Sequence, residues 1–304
     1  MPPPQGTPNM LEGPGDYTVT SEVHNDTYPA ISSISNPSPL NKSVFVVGAS
    51  RGIGLAIATS FAQAGASHIA LGARSSLESL KNALLAAAAK AKRLEPKILC
   101  VKLDITSQQS TEEAAKLVEK EFGKLDILIN NAGVIGGMNL IADTDPEVWW
   151  HTWNVNVRGP YLVTRAFLPL MLKGGDKTII STSSVGAHLT SRTLSDYQPS
   201  KLAVLRFTQF VSEEYKDKGV LAFCIHPGNI PTDMMGGPEG VPDRLKPVFT
   251  ETAELSADTI VYLVGEKRDW LAGRYINCTW DMPELMAQKD GIVKGDKLKV
   301  RLVI

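Results

Sequence analysis

The strongest constraint on how this chain folds is a rhythm. From Ser43 onward, short continuous apolar runs alternate with stretches of helical period. A run such as Ser43–Val47, apolar or β-branched on successive residues, suits a strand covered on both faces, and such strands separated by helices build a parallel sheet. The pattern predicts strands at Ser43–Val47, His68–Leu71, Ile98–Leu103, Leu125–Ile129, Thr178–Ser181, Val220–His226 and Tyr275–Cys278. Helices are predicted over Gly52–Ala64, Leu77–Arg93, Gln109–Glu121, Pro146–Leu172, Asp196–Lys216 and Ala257–Leu263, the fourth bent at Gly159-Pro160. No internal repeat and no second boundary interrupts residues 42–304, so they read as one doubly wound α/β domain with a central parallel sheet.

Residues 1–41 differ. They are rich in Pro, Ser, Asn and Thr, without helical or strand period. Met1 to Gly15 reads as disordered. In the segment His24–Ile31, the Tyr and the Ile could anchor a surface-wrapping arm. The first Lys or Arg is Lys42, so the start reads as having neither the basic and apolar blocks of a signal peptide nor an Arg-rich transit character. No apolar stretch approaches the roughly 20 residues of a membrane helix. The expected location is the cytoplasm.

Of 304 residues, 43% are hydrophobic and 21% charged, with a formal net charge of -1. A core is affordable, and nothing electrostatic points to nucleic acid or an anionic membrane as partner. Cys100, Cys224 and Cys278 stand in or beside apolar runs, without metal-ligand spacing. They read as small core residues in a reducing compartment, and no metal is expected.

The first strand runs into Gly48-Ala49-Ser50-Arg51-Gly52-Ile53-Gly54, which opens a helix. Glycines there allow a tight turn and close approach of backbone N–H groups to a diphosphate, while the helix N-terminus adds partial positive charge. This is the geometry of a Rossmann-type dinucleotide fold. At the end of the second strand an NAD site usually carries an acid for the ribose 2′-hydroxyl; here Leu71-Gly72-Ala73-Arg74 offers Arg74 instead. Arg51 is a second guanidinium within reach of a 2′-phosphate. The expected cofactor is NADP(H).

Tyr197 and Lys201 lie four apart, one turn on a common helix face. A phenol with a pKa near 10 is a poor acid–base group at neutral pH, and a neighbouring cation would lower it. Ser184 ends the strand run Ile179–Ser184, at the carboxyl end of a sheet strand where such folds place their sites.

In order and spacing, Gly48-x3-Gly52-x-Gly54, Asn130-Asn131-Ala132-Gly133, Ser184, Tyr197-x3-Lys201 and Pro227-Gly228 resemble the short-chain dehydrogenase/reductase family, over about Ser43 to Met282. The extension around His24–Ile31 resembles those of fungal members. The resemblance implies Tyr197 as general acid/base, Lys201 as its modulator and ribose ligand, and Ser184 as the hydroxyl orienting substrate. Asn156 would hold a relay water. Cofactor contacts would come from Gly48, Ser50, Arg51, Gly52, Ile53 and Gly54, from Arg74 and Asp104, and from Asn131 and Gly133. Tyr197 and Lys201 would join Pro227, Gly228, Ile230 and Thr232 around the nicotinamide and its ribose. A homodimer or homotetramer joined through the helices around Asn156–Leu172 and Pro199–Lys216 is also implied.

Two residues depart from the family pattern. Val47 replaces a Thr whose hydroxyl steadies the glycine turn, and Pro199 stands inside the Tyr-x3-Lys segment. The proline is tolerable if the helix begins near Ser195 or Asp196. On the substrate side, Val134–Met138 and a Gly/Pro-rich lid over Met234–Thr252 should shape the pocket. Met138, Met234 and Met235 fit an adaptable wall or core filling equally. Trp149, Trp150 and Trp153 read as core or interface, and His188 as a solvated loop residue near the site. The expected reaction is hydride transfer between NADP(H) and a carbonyl or secondary alcohol of a small organic substrate. An epimerase or dehydratase of the same family and a non-catalytic NADP-binding sensor are the rivals.

Overall fold

In the computed structural model, which describes residues 9–35 and 40–302, seven parallel strands form one sheet in the order β3-β2-β1-β4-β5-β6-β7. The strands are β1 Ser43–Val47, β2 His68–Ala73, β3 Lys97–Lys102, β4 Ile127–Asn130, β5 Thr178–Thr182, β6 Leu221–His226 and β7 Tyr275–Asn277. Five of them, β1, β4, β5, β6 and β7, are buried at every position, as continuous apolar runs between two helical layers must be. The direction of winding reverses between β1 and β4, which opens a crevice at their carboxyl ends.

One face is covered by α1 (Gly52–Gln63), α2 (Glu78–Lys90) and, after the chain has crossed the sheet, by a late helix packed against α1. The other face carries α3 (Gln108–Phe122), capped by the Ser107 hydroxyl, and the helix that pairs with it after β4. Phe45 stacks on Phe167 at 4.7 Å and fixes that second layer to β1.

The helix expected over Pro146–Leu172 is three pieces: α4 (Pro146–Trp153), a π-helical turn Asn154–Arg158, and α5 (Gly159–Met171). The irregularity thus precedes the Gly-Pro pair instead of centring on it. Pro160 has no N–H to give the carbonyl four residues back, that of Asn156, and the turn widens so that the Gly159 N–H reaches the Asn154 carbonyl. After β5 comes α6 (Tyr197–Tyr215), capped by the Asp196 carboxylate on the Tyr197 N–H. Pro199 is its third residue, inside the first turn, where the missing N–H costs nothing. The Gly/Pro-rich segment holds a short α7 (Gly237–Gly240) between 3-10 turns, and α8 (Ala253–Gly265) is the helix that lies on α1. Two further short helices, α9 (Met282–Ala287) and α10 (Lys289–Lys294), were not predicted.

The expectation of disorder for Met1–Gly15 needs correction. Residues 1–8 lie outside the described residues, but from Asn9 the segment packs on the domain. The Gly15 carbonyl accepts from Trp280 Nε1 at 3.0 Å, Asp16 accepts from Asn277 Nδ2 at 3.0 Å, and Val23 bridges Trp280. The predicted anchors hold: Ile31 is buried, and the Tyr28 hydroxyl accepts from the Met282 N–H at 2.8 Å. Among the described residues no helix is long and apolar enough to cross a membrane.

Candidate active site

A single cavity of about 1050 Å³ runs along the carboxyl ends of the strands from the glycine loop to the Gly/Pro-rich segment. That is the upper end of ligand pockets, which span about 300–1,000 Å³, and leaves room for a second molecule beside a dinucleotide.

Its first half is made largely of backbone. Gly48 and Gly52 take positive φ, 81° and 55°. A Cβ on Gly48 would stand 2.9 Å from Ala132 Cα, and one on Gly54 would collide with the Gly48 carbonyl oxygen. The turn lacks the hydroxyl that Val47 replaces, and the sheet compensates: the N–H groups of Gly48 and Ala49 donate to the Gly72 carbonyl at 2.7 and 3.2 Å. Asn131 adds a side-chain hydrogen bond to the Gly48 carbonyl at 3.4 Å. No side chain caps the N-terminus of α1, so its N–H groups face the crevice beside Ser50 and Ile53. A diphosphate fits this cradle, which a β-carbon at either glycine would close.

Beyond the turn, Arg74 and Asp104 line the same wall. The Asp104 carboxylate is held below its usual range by hydrogen bonds from the Thr106 hydroxyl and N–H. Arg51 is exposed and pairs with Asp233 at 3.3 Å across the crevice. Gly133 follows, then Pro227, Gly228, Ile230 and Thr232 on the far side. Gly54 and Asn156, both expected at the site, lie outside the cavity lining, Gly54 tight against the Gly48 carbonyl and Asn156 buried behind Gly133.

At the centre, Ser184, Tyr197 and Lys201 meet on one wall. Lys201 Nζ donates to the Thr182 carbonyl at 3.1 Å and lies 5.6 Å from the centre of the Tyr197 ring. Ser184 Oγ accepts from the Gly186 N–H at 3.0 Å and is hydrogen-bonded to Tyr197. Both titrating groups are desolvated. Burial pushes Lys201 down to about 8 and Tyr197 above its ordinary value, the latter opposed by a hydrogen bond with Ser184. The lowering of the phenol expected from Lys201 does not appear: burial raises it, and what opposes the rise is Ser184. The Asn156 amide is well held: Oδ1 accepts from the Val134 N–H at 2.9 Å, and Nδ2 donates to the Val134 carbonyl and Ser200 Oγ at 2.8 and 3.0 Å. It thereby ties the π-turn to the strand end that carries Gly133.

The second half of the cavity is loop and side chain. Met138, Met234 and Met235 line it, with Met138 and Met234 half exposed, so they are wall and not core. Two expectations change, those for His188 and for the N-terminal segment, while the tryptophans stay clear of the cavity lining as expected. His188 is no solvated loop residue: it packs edge-on against Tyr275 at 4.7 Å, outside the cavity lining, and burial lowers its pKa. The three tryptophans cluster away from the cavity, with Trp150 exposed. Met10 and Leu11, from the segment taken as disordered, line the cavity.

Two features had no signal in the sequence. His226 is buried at the end of β6 with Nδ1 unpartnered among the described residues, and burial drives it to about 3, so it is neutral. Glu251 accepts from the Asn229 N–H at 2.9 Å and its side chain fills the space beside Gly228, where a Cβ would stand 2.8 Å from Glu251 Cγ. Burial raises its carboxyl to about 7.

A family model for short chain dehydrogenase matches residues 42–239. The short chain dehydrogenase pigC of Monascus ruber is 57% identical over 303 residues, spanning 100% of both chains. The short chain dehydrogenase tazN of Aspergillus terreus is 55% identical over 95% of this chain, which spans 63% of that longer protein. Among solved structures, a short-chain type dehydrogenase/reductase from Mycobacterium ulcerans superposes with a TM-score of 0.72 at 25% identity, covering 82% of this chain and 91% of its own. A glycine cradle at the strand ends, a Tyr–Lys–Ser wall in the same cavity and identity along the whole chain agree: the chain belongs to the short chain dehydrogenase family and is an oxidoreductase.

Proposed function

We propose that the protein is an NADP(H)-dependent reductase of aldehydes or ketones, with Tyr197 as the proton donor. The observation that carries this reading is the meeting of Tyr197, Lys201 and Ser184 on one wall of the cavity that begins at the glycine cradle. Bound NADPH supplies the hydride that adds to the carbonyl carbon. Ser184 donates a hydrogen bond to the carbonyl oxygen and fixes its position; the Tyr197 hydroxyl gives that oxygen its proton, and the alcohol leaves. The phenolate left behind is stabilised by the Lys201 ammonium until it is reprotonated from solvent. Burial of the phenol favours the protonated donor, the state that reduction needs.

Arg74 and Arg51 support NADPH over NADH, since each presents a guanidinium on the cavity where a ribose 2′-phosphate would sit, and no acid at the end of β2 opposes it. Exposed Tyr161, Leu202 and Phe210 on α5 and α6 support association into a homo-oligomer through those helices. A carbonyl panel followed by NADPH absorbance, with parallel NADPH and NADH titrations, tests the reading. Equal affinity for the two nucleotides removes the arginine argument, and turnover by a Tyr197→Phe variant removes the proton donor.

A further inference from the structure

We propose that the N-terminal arm, through Met10 and Leu11, forms part of the substrate wall and selects bulky apolar carbonyl compounds. The proposal rests on the reading of the cavity as a carbonyl-reducing site. The arm lies outside the residues matched by the family model, 42–239, while the relative from Monascus ruber aligns along the whole chain. The scaffold common to the family therefore does not include it.

Three contacts place the arm beside Ser184, the Pro227-Gly228 turn and the Gly/Pro-rich segment, away from the glycine loop. Gly13 is buried against Val185, the residue after Ser184, so closely that a Cβ there would collide with the valine. Asn9, Asp16 and Tyr17 share a small polar cleft with Asn229, next to the Pro227-Gly228 turn, and with Val248 of the Gly/Pro-rich segment. Between these fixed points Met10 and Leu11 reach the main cavity, where Val185, Met234, Leu245 and Phe249 also stand.

The short turn that carries them is built, not draped. The Leu11 N–H donates to Asn9 Oδ1 at 2.9 Å, the Glu12 N–H to the Asn9 carbonyl at 3.1 Å, and the Gly13 N–H to Asp16 Oδ2 at 2.7 Å. Asp16 in turn accepts from Asn277, so the turn is referenced to the end of β7. Leu11 is half-buried and Met10 is 59% exposed, apolar surface that a substrate would cover. The side of the wall that the arm joins, with Val185, Met234, Leu245 and Phe249, is apolar, while polar groups such as Thr190, Ser191, Arg192 and Arg244 line the cavity elsewhere. That apolar side favours a carbonyl compound whose size lies in fused rings or a branched hydrocarbon frame.

The test compares two ketones, bicyclic 2-tetralone and monocyclic cyclohexanone, binding to the full-length protein loaded with NADP+. Calorimetry gives affinity and NADPH absorbance gives turnover for the wild type, Met10→Ala/Leu11→Ala and Leu11→Trp. The alanine pair is expected to weaken 2-tetralone by about fivefold and cyclohexanone by less than about twofold. Leu11→Trp, which fills the wall instead of opening it, is expected to shift preference towards the smaller ketone as well, by crowding the bicyclic one, with NADP+ affinity serving as the control for folding. Equal losses on both ketones, no loss on either, or failure of the wild type to bind 2-tetralone overturns the proposal. The expected binding pattern without hydride transfer keeps the arm's role and overturns the carbonyl-reductase reading instead.

Discussion

The two halves of the cavity are built by different means. The cofactor half consists of main chain held by main chain: the Gly48 and Ala49 N–H groups on the Gly72 carbonyl, two glycines at positive φ, and an uncapped helix start. The substrate half is side chains on an arm, a Gly/Pro-rich segment and the loop after β4. Backbone geometry at a strand end is common to every doubly wound sheet, so the first half can be shared by enzymes with different substrates. Loops and termini accept changes in sequence without disturbing the sheet, and selectivity belongs there.

The sharpest way to separate the halves is at their boundary. Tyr197→Phe removes one oxygen and should lower kcat by about 10²- to 10⁴-fold, with NADPH affinity in a fluorescence titration unchanged. A parallel loss of affinity would mean that the phenol belongs to the cofactor half. Gly54→Val tests that half alone. Its side chain has no space against the Gly48 carbonyl, and displacing the turn should cost about 1–3 kcal/mol, read as a roughly 5- to 150-fold weaker NADPH Kd.

Glu251 tests the brace under the other half. Its carboxyl, ordinarily near 4.5, is raised to about 7 by burial, so the stability tied to its neutral form is complete below pH 4.5 and is lost as pH rises through about 7. Asp16, raised by burial to about 6, adds the same sign over a slightly lower window. Thermal melting temperature should therefore fall between pH 5 and pH 8 by the equivalent of about 2 kcal/mol. Glu251→Gln should flatten the upper part of that slope, and an unchanged slope would clear Glu251 of the effect. The smallest effect is expected at Arg74. Arg74→Ala should narrow the NADPH-over-NADH preference by about tenfold, or 1.4 kcal/mol, in the ratio of kcat/KM values, since Arg51 remains.

The same division decides what could be read from the sequence. The glycine cradle, Ser184 and the Tyr197–Lys201 pair are local: each depends on a strand end or a helix turn within a dozen residues, and period and spacing reveal those. The segment around Pro160 was half legible. Proline marks a defect, but whether the helix kinks or widens depends on Asn156 gripping Val134 from another element. Asp16 and Glu251 carry no local sign. Asp16 is half-buried because Asn277, 261 residues away, meets it, and Glu251 is buried because Gly228 leaves it space. The disorder read into Asn9–Gly15 failed for the same reason, since a Pro- and Gly-rich segment acquires order only from the surface beneath it. Met10-Leu11, an apolar pair in a polar stretch, was the one visible hint.

The anchors of the arm have a consequence for the newborn chain. Ser21 holds Glu284 through its N–H and hydroxyl, His24 meets Asp281 at 3.0 Å, and the Gly15 carbonyl waits for Trp280. The arm thus finds its seat only after segments 257 to 265 residues further along have been made. At about 5–20 residues per second the wait is roughly 13–50 s. Until then the sheet can assemble and the dinucleotide cradle can close while the opposite side of the crevice stands open. On the reading proposed above, the glycine cradle is complete before the wall that would select substrate.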